Sequence, residues 1–371
     1  MANQRFTALD VFRGITVCFM IIVNSPGNGL TTYSPLLHAR WHGFTPTDLV
    51  FPSFLFAVGN ALSFVLPKWN NLPPLNVVLK IVKRTLIIFL LGYLMYWFPF
   101  VKLVAGQWVF APFVNTRVFG VLQRIALCYG ITALLLHFLK PKLTIILSAS
   151  LLLVYWIILL AFGQADPFSI QGNAGFLLDR WLIGDAHMYH GEGMPFDPEG
   201  LLSTLPAISN VVAGFVVGNY IQQKGKTFET LTKLLLAGAS FIFVAWCWNF
   251  FFPVNKKLWT SSFVLLTIGL DCIIIAAIIY LIDFLKQTRW TYFFEVFGRN
   301  PLFIFMLSEL GVVLLYVFSV RPKLPLYKWL YQTIFLPVGD HFGSLLFAIS
   351  IMLICWLVGL FMDKKKIYVR V

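Results

Sequence analysis

Apolar residues run through this chain in long blocks separated by short polar breaks. The blocks recur too regularly for a string of soluble domains, and each is close to the ~20 residues a helix needs to cross a bilayer. Ten such segments are predicted: Leu9 to Gly27, Asp48 to Leu66, Arg84 to Val101, Arg117 to Phe138, Leu143 to Phe162, Ser203 to Gln222, Leu231 to Phe252, Trp259 to Leu285, Pro301 to Val320 and Ser344 to Met362. The expected fold is therefore an all-α integral membrane protein, a bundle forming one domain over residues 1–371. An even number of crossings puts both termini on one side.

Two stretches break the apolar pattern. From Asn24 to Phe44, prolines, glycines and the polar residues Asn24, His38 and His42 describe a loop held at the membrane surface. The chain then switches to helix at Thr45-Pro46-Thr47-Asp48, where Thr45 can cap, Pro46 suits the first helical position and Asp48 can close a capping box. The second stretch, residues 163–202, is the longest polar segment and holds Asp166, Asp179, Asp185, His187, His190, Glu192, Asp197 and Glu199. A loop of that length in a compact bundle is usually functional or disordered.

Composition agrees with a membrane protein: 59% of residues are hydrophobic and 12% charged, against roughly 25% charged in a soluble domain. Lys and Arg flanking the segments divide unevenly, sixteen on the face that runs from Arg5 to Arg370 and nine on the other. The first face is expected to be cytoplasmic, with both termini, and the loop carrying His38 outside. The net charge of +13 is then mostly an inside bias that meets lipid headgroups, not a nucleic-acid surface. Asp10 and Arg13 interrupt what would be the apolar core of a signal peptide, so the first helix is expected to be retained. Cys18, Cys128, Cys247, Cys272 and Cys355 all lie in apolar segments without metal-ligand spacing, and no metal is expected.

Several short motifs are more particular: Leu9-Asp10-Val11-Phe12-Arg13-Gly14, Val23-Asn24, His38-Ala39, Trp41, Gly43 through Pro52, Gly120-Val121-Leu122-Gln123-Arg124, Phe196-Asp197-Pro198-Glu199-Gly200, Asn255-Lys256-Lys257-Leu258-Trp259 and Asn300-Pro301-Leu302. Together they resemble the heparan-α-glucosaminide N-acetyltransferase family over essentially the whole chain. The resemblance implies a transmembrane acyltransferase that takes acetyl from cytoplasmic acetyl-CoA and places it on the amine of a glucosamine-type sugar across the bilayer. It also implies a homodimer. Because animal members carry a further domain ahead of the bundle, the expected setting is the inner (cytoplasmic) membrane of a bacterium.

Acyl transfer to an amine needs a base, donors for the oxyanion and a track for the acyl carrier. On the residues alone, His38 reads first as an interfacial histidine that hydrogen-bonds a carbonyl; the resemblance implies otherwise, because the family's active-site histidine falls on it. Asp48 is either a helix-start acid or the carboxylate that orients His38, and one carboxylate is not expected to serve both fully. Asn24 either caps the first helix or supplies an amide to the acetyl oxygen or the histidine. These three form the expected catalytic group, with His38 acting as base or carrying the acetyl itself. His42 reads as a loop residue, and the His187/His190 pair lacks a third metal ligand.

Arg124, beside Gln123, is costly inside a membrane and needs a partner, for which Asp48, Asp271 and Glu309 are candidates. Asp10 and Arg13 are spaced for a local pair. Arg299-Asn300-Pro301 opens a helix with a cap and a positive dipole end, an anion site suited to CoA phosphates. Arg124, Gln123, Arg299, Asn300 and Arg13 are thus the candidate acetyl-CoA contacts. Asp197-Pro198-Glu199 reads as the start of the sixth segment; Asp197, Glu199 and Trp41 are the candidate contacts to the sugar. Where family members often have His-Glu, this chain has Ser308-Glu309, which removes any histidine role there. The competing function is a secondary transporter of amino sugars using Asp271, Glu309 and Arg124 as its path.

Overall fold

The computed structural model describes residues 6–369 apart from positions 70, 105 and 106. Arg5 and Arg370, counted above on the basic face, lie outside the described residues. Thirteen helices are described, several of them short. They are α1 (Thr7–Asn24), α2 (Pro46–Val65), α3 (Pro74–Trp97), α4 (Val121–Phe138), α5 (Pro141–Phe162), α6 (Ala174–Ile183), α7 (Thr204–Lys224), α8 (Phe228–Asn249), α9 (Ser261–Ile279), α10 (Thr291–Arg299), α11 (Pro301–Val317), α12 (Leu326–Leu330) and α13 (Asp340–Lys364).

Each of the ten expected segments coincides with a helix, but not each has the length and composition of a crossing. Among the described residues eight helices are long and apolar enough to span a membrane, or nine if α10 and α11, bent by 83° at Asn300, count as one. The difference from ten lies in α3, whose first half carries Lys80, Lys83 and Arg84 and leaves only the stretch from Thr85 to Trp97 free of charge. The chain also departs from all-α in two loop hairpins, Val101–Val104 (β1) with Gln107–Phe110 (β2) and Ser319–Arg321 (β3) with Leu324–Pro325 (β4). Adjacent runs with β-branched residues pair locally there, outside the helices.

At the centre of the bundle α2 crosses α7. A Cβ on Gly59 would lie 1.8 Å from the Val211 carbonyl oxygen, and one on Gly214 would lie 1.9 Å from that of Phe56. Only glycine at both positions lets the two backbones come this close. By contrast α5 and α8 turn their apolar residues outward, with Ile157, Leu160, Phe243 and Trp246 exposed. That is the surface expected of helices facing lipid tails.

The first and last described residues lie at the end of the bundle formed by α10. Arg299 pairs with Asp363 near the close of α13 at 2.5 Å, and the Asn300 amide donates to the Ile367 carbonyl at 3.0 Å. Asn300 therefore does not cap α11 with its side chain as expected, because that side chain is spent on the C-terminal segment. At the opposite end four contacts tie the connections together: Gly43 N donates to the Val254 carbonyl at 2.8 Å, Trp41 Nε1 to Phe168 at 2.9 Å, Val118 N to His187 at 3.1 Å and Gly27 N to Ser344, in the first turns of α13, at 3.4 Å. The 163–202 segment is folded there. Asn173 caps α6, and Phe176, Met188 and Phe196 bury themselves with Leu258 against Trp41.

Candidate functional site

Where these connections converge, the first turn of α2 places a carboxylate against an imidazole. Asp48 Oδ2 accepts the backbone N–H of Thr45 at 3.0 Å and of Ala39 at 3.2 Å, while Oδ1 lies 2.7 Å from His38 Nδ1. Helix start and histidine support are both served, one oxygen each. The loop is tied by the same residues: the Thr45 hydroxyl lies 2.7 Å from the Leu37 carbonyl, and Thr47 Oγ1 donates to Pro35 at 3.0 Å. The carboxylate is 1% exposed and the imidazole 42%, so His38 is anchored from below and open on its outer side.

A second group, not selected as a site residue from sequence, completes this cluster. Lys256 Nζ lies 3.1 Å from both ring nitrogens of His38. Its place is set by a pinned turn. Asn255 takes the N–H of Leu258 at 2.9 Å, Lys257 donates to the Arg40 carbonyl at 2.9 Å and pairs with Glu192, and Trp259, held at φ 54°, is buried with Nε1 on Asn210. A left-handed φ is unusual for so bulky a residue and persists only where surrounding contacts enforce it. The signal in the sequence was present, in Asn255-Lys256-Lys257-Leu258-Trp259, but it lies over 200 positions from His38.

Beside this cluster sits Arg117, sandwiched by the rings of Tyr96 and Tyr189 at 5.0 and 4.7 Å. Its guanidinium binds Asp197 and reaches Glu199 Oε2 at 2.5 Å. Those carboxylates do not open α7, which begins at Thr204; they are committed to Arg117. Burial raises Asp197 above the usual carboxylate range despite Arg117. For Glu199, burial is outweighed by Arg117, Arg124 and Lys256, which hold it below that range. Burial likewise lowers the Lys256 ammonium from the ordinary lysine value, against the pull of Glu199 and Asp48.

Other candidates lie elsewhere. Arg124 is fully buried, donating to the Gly200 carbonyl at 3.1 Å and to Ser203 Oγ, with its guanidinium 4.8 Å from the Trp259 ring. None of the three carboxylates proposed for it is a described hydrogen-bond partner, since backbone and hydroxyl oxygens and an aromatic face meet the charge instead. Gln123 is buried with its amide against Gly92 of α3. Asn24 donates to Glu309 Oε1 at 3.0 Å and lines a cavity of about 430 Å³ with Tyr316, Tyr327, Tyr331 and Gln332. Asp271 accepts from Ser53 at 2.5 Å. Asp271, Glu309 and Arg124 thus have separate described partners. His42 lies 3.4 Å from the Asn255 amide, and burial lowers its pKa against Asp166. His187 donates to the Thr116 carbonyl at 2.8 Å.

At the end of the bundle that holds the termini, a cavity of about 380 Å³ is lined by Arg13, Arg84, Arg299, Tyr129 and, along α2, Phe54 to Val65. Arg84 stacks on Tyr129 at 4.7 Å, and its Nε is buried with no hydrogen-bond partner among the described residues. Arg13 is paired with Asp10 at 3.0 Å. Gln123 and Arg124 do not line this cavity. It holds three arginines at its rim and comes within six residues of Asp48 along α2, about 9 Å of helix.

These features define a multi-pass membrane protein with a histidine–carboxylate–lysine site at one end of its bundle and an arginine-rimmed cavity opening toward the other. Residues 5–239, more than half of the chain, match the family described as "Heparan-alpha-glucosaminide N-acetyltransferase, catalytic", and the chain belongs to that family. It is similar to the heparan-alpha-glucosaminide N-acetyltransferase of Mus musculus, 27% identical over 377 residues that cover 82% of this chain and 53% of the mouse protein. The Homo sapiens protein of the same name is 26% identical over 371 residues, with the same coverage. The chain thus spans about half the length of these relatives. The family match takes in His38, Asp48, Arg117, Asp197 and Glu199; Lys256 and Arg299 follow it.

Proposed function

We propose that this protein is an acetyl-CoA-dependent transmembrane N-acetyltransferase acting on a glucosamine-type amine at the outer face of a bacterial inner membrane. One observation carries the reading: an imidazole fixed by a buried carboxylate and exposed on its other side sits at the start of α2, and an arginine-lined cavity runs along the same helix from Phe54 toward the opposite end. In this reading Arg13, Arg84 and Arg299 meet the phosphates of CoA on the cytoplasmic side, where arginine suits phosphate geometry. From Asp48 to Val65 is seventeen residues, about 26 Å of helix. The carrier's arm must therefore run most of the membrane's thickness to bring its thioester to His38.

With the Asp48 carboxylate on Nδ1, that nitrogen carries the ring proton and Nε2 keeps its lone pair. Nε2 then takes the proton of the amine as its nitrogen attacks the thioester carbonyl. The C–N bond forms, the C–S bond breaks, and the thiolate takes the proton back from Nε2 to leave as CoA thiol, returning His38 to its starting state. In this reading the sugar meets the capping segment, where Asp197 and Glu199 act through Arg117 and Trp41 packs against Phe196.

The test is reconstitution into sealed vesicles with acetyl-CoA on one side and glucosamine on the other. Thiol release coupled to N-acetylglucosamine formation is expected, and His38→Ala should lower it by about 100-fold or more, the usual contribution of a general base. Unchanged turnover in that variant, or sugar uptake without thiol release, overturns the proposal. Acetyl trapped on His38 with donor alone would replace the base role with a covalent one.

A further inference from the structure

We infer that Lys256 is a positioning residue whose charge, set beside the imidazole, opposes the pull of Asp48 toward a protonated His38. This deepens the proposed transfer and rests on His38 being its base.

The geometry is that of an imidazole between opposite charges. Asp48 Oδ1, 2.7 Å from Nδ1, favours a protonated ring, because an anion at that distance stabilises the imidazolium. Lys256 Nζ, 3.1 Å from both nitrogens, acts the other way. At equal distance from both nitrogens Nζ stands over the ring and not along an in-plane lone pair, so it acts on the imidazole as a neighbouring charge. A protonated His38 would set two cationic donors against each other.

The cation therefore offsets the carboxylate at the ring. The other charges around the cluster do not take over this role. Glu199 and Glu192 act on Lys256 itself, Lys257 is paired with Glu192, and Arg117 is paired with Asp197 and Glu199. Arg40, on the same loop as His38, is exposed and lends its carbonyl to Lys257. The lowered pKa of Lys256 adds that the cation is lost at a milder alkaline pH than for an ordinary lysine.

The direct measurement is the pH dependence of His38 carbethoxylation by diethyl pyrocarbonate, which attacks neutral imidazole, read by peptide mass mapping in the purified full chain. In Lys256→Met the midpoint for His38 should rise by about one pH unit or more relative to the unaltered protein. Lys256→Arg, which keeps the charge, should leave it in place. The acidic limb of kcat/KM for acetyl transfer should move in the same direction in Lys256→Met and stay put in Lys256→Arg. Lys256→Gln serves as a second neutral variant should the methionine protein fail to fold. A midpoint that is the same in the unaltered protein and in the neutral variants overturns the inference and leaves Lys256 a structural residue. Absence of acetyl transfer in the unaltered protein would instead sink the proposed function, while the His38 midpoints would still decide the role of Lys256.

Discussion

Asp179 shows how strongly single residues at the outer face are bent to the fold. It is buried beneath the turn leading to α7, its Oδ1 taking the Leu201 N–H at 3.0 Å, and burial raises its pKa from 3.8 to about 7. The folded chain therefore keeps a proton that the unfolded chain has already released. Its contribution is fully present below the unfolded value and is lost as pH rises through about 7. Asp179→Asn should remove that dependence. At pH 8 the variant should be more stable than the parent by up to about 4 kcal/mol, three pKa units at 1.36 kcal/mol each, and at about pH 3 the two should coincide. Thermal unfolding in detergent at both pH values checks this; parallel behaviour of the two proteins would refute the protonation assignment.

Among elements, the α2–α7 crossing governs the site because Asp48 rides on the first turn of α2. With 1.9 Å between a Cβ at Gly214 and the Phe56 carbonyl oxygen, Gly214→Ala must push the helices apart. The expected loss is about 1–3 kcal/mol, the usual cost of overpacking. Gly311→Ala is the matched control: nothing lies within 4 Å of its Cβ position, and it should be neutral or slightly stabilising through helix propensity. Melting temperatures that fall equally in both variants would mean that the crossing is not the constraint.

For the whole molecule the decisive quantity is sidedness. Arg40 lies on the loop of His38 and Lys68 follows α2 at the other end of the bundle, and both are exposed. In sealed, uniformly oriented vesicles, an impermeant maleimide added outside should label Arg40→Cys and spare Lys68→Cys until the membrane is opened. Of the native cysteines only Cys247 is exposed, so a Cys247→Ser background suffices. Labelling of both positions from one side would contradict the orientation and with it the transmembrane route of the acetyl group.

Hydropathy alone determined the membrane class and located ten of the thirteen described helices, missing the short α6, α10 and α12, since twenty apolar residues admit few other fates in water or lipid. The family likeness, carried by short local motifs, pointed to His38 and to Asp48 ten residues on, whose contact the loop between them makes possible. What the sequence could not decide were pairings set by the bundle. Lys256 meets His38 across more than 200 positions; Arg124 finds a hydroxyl, a carbonyl and an indole in place of a carboxylate; Asp197 and Glu199 serve Arg117 and not a helix start; and Asn300 holds the C-terminal segment and not its own helix. Most buried polar groups find a partner, and which one they find depends on how the helices cross, a property of the assembled bundle and not of any local stretch of chain.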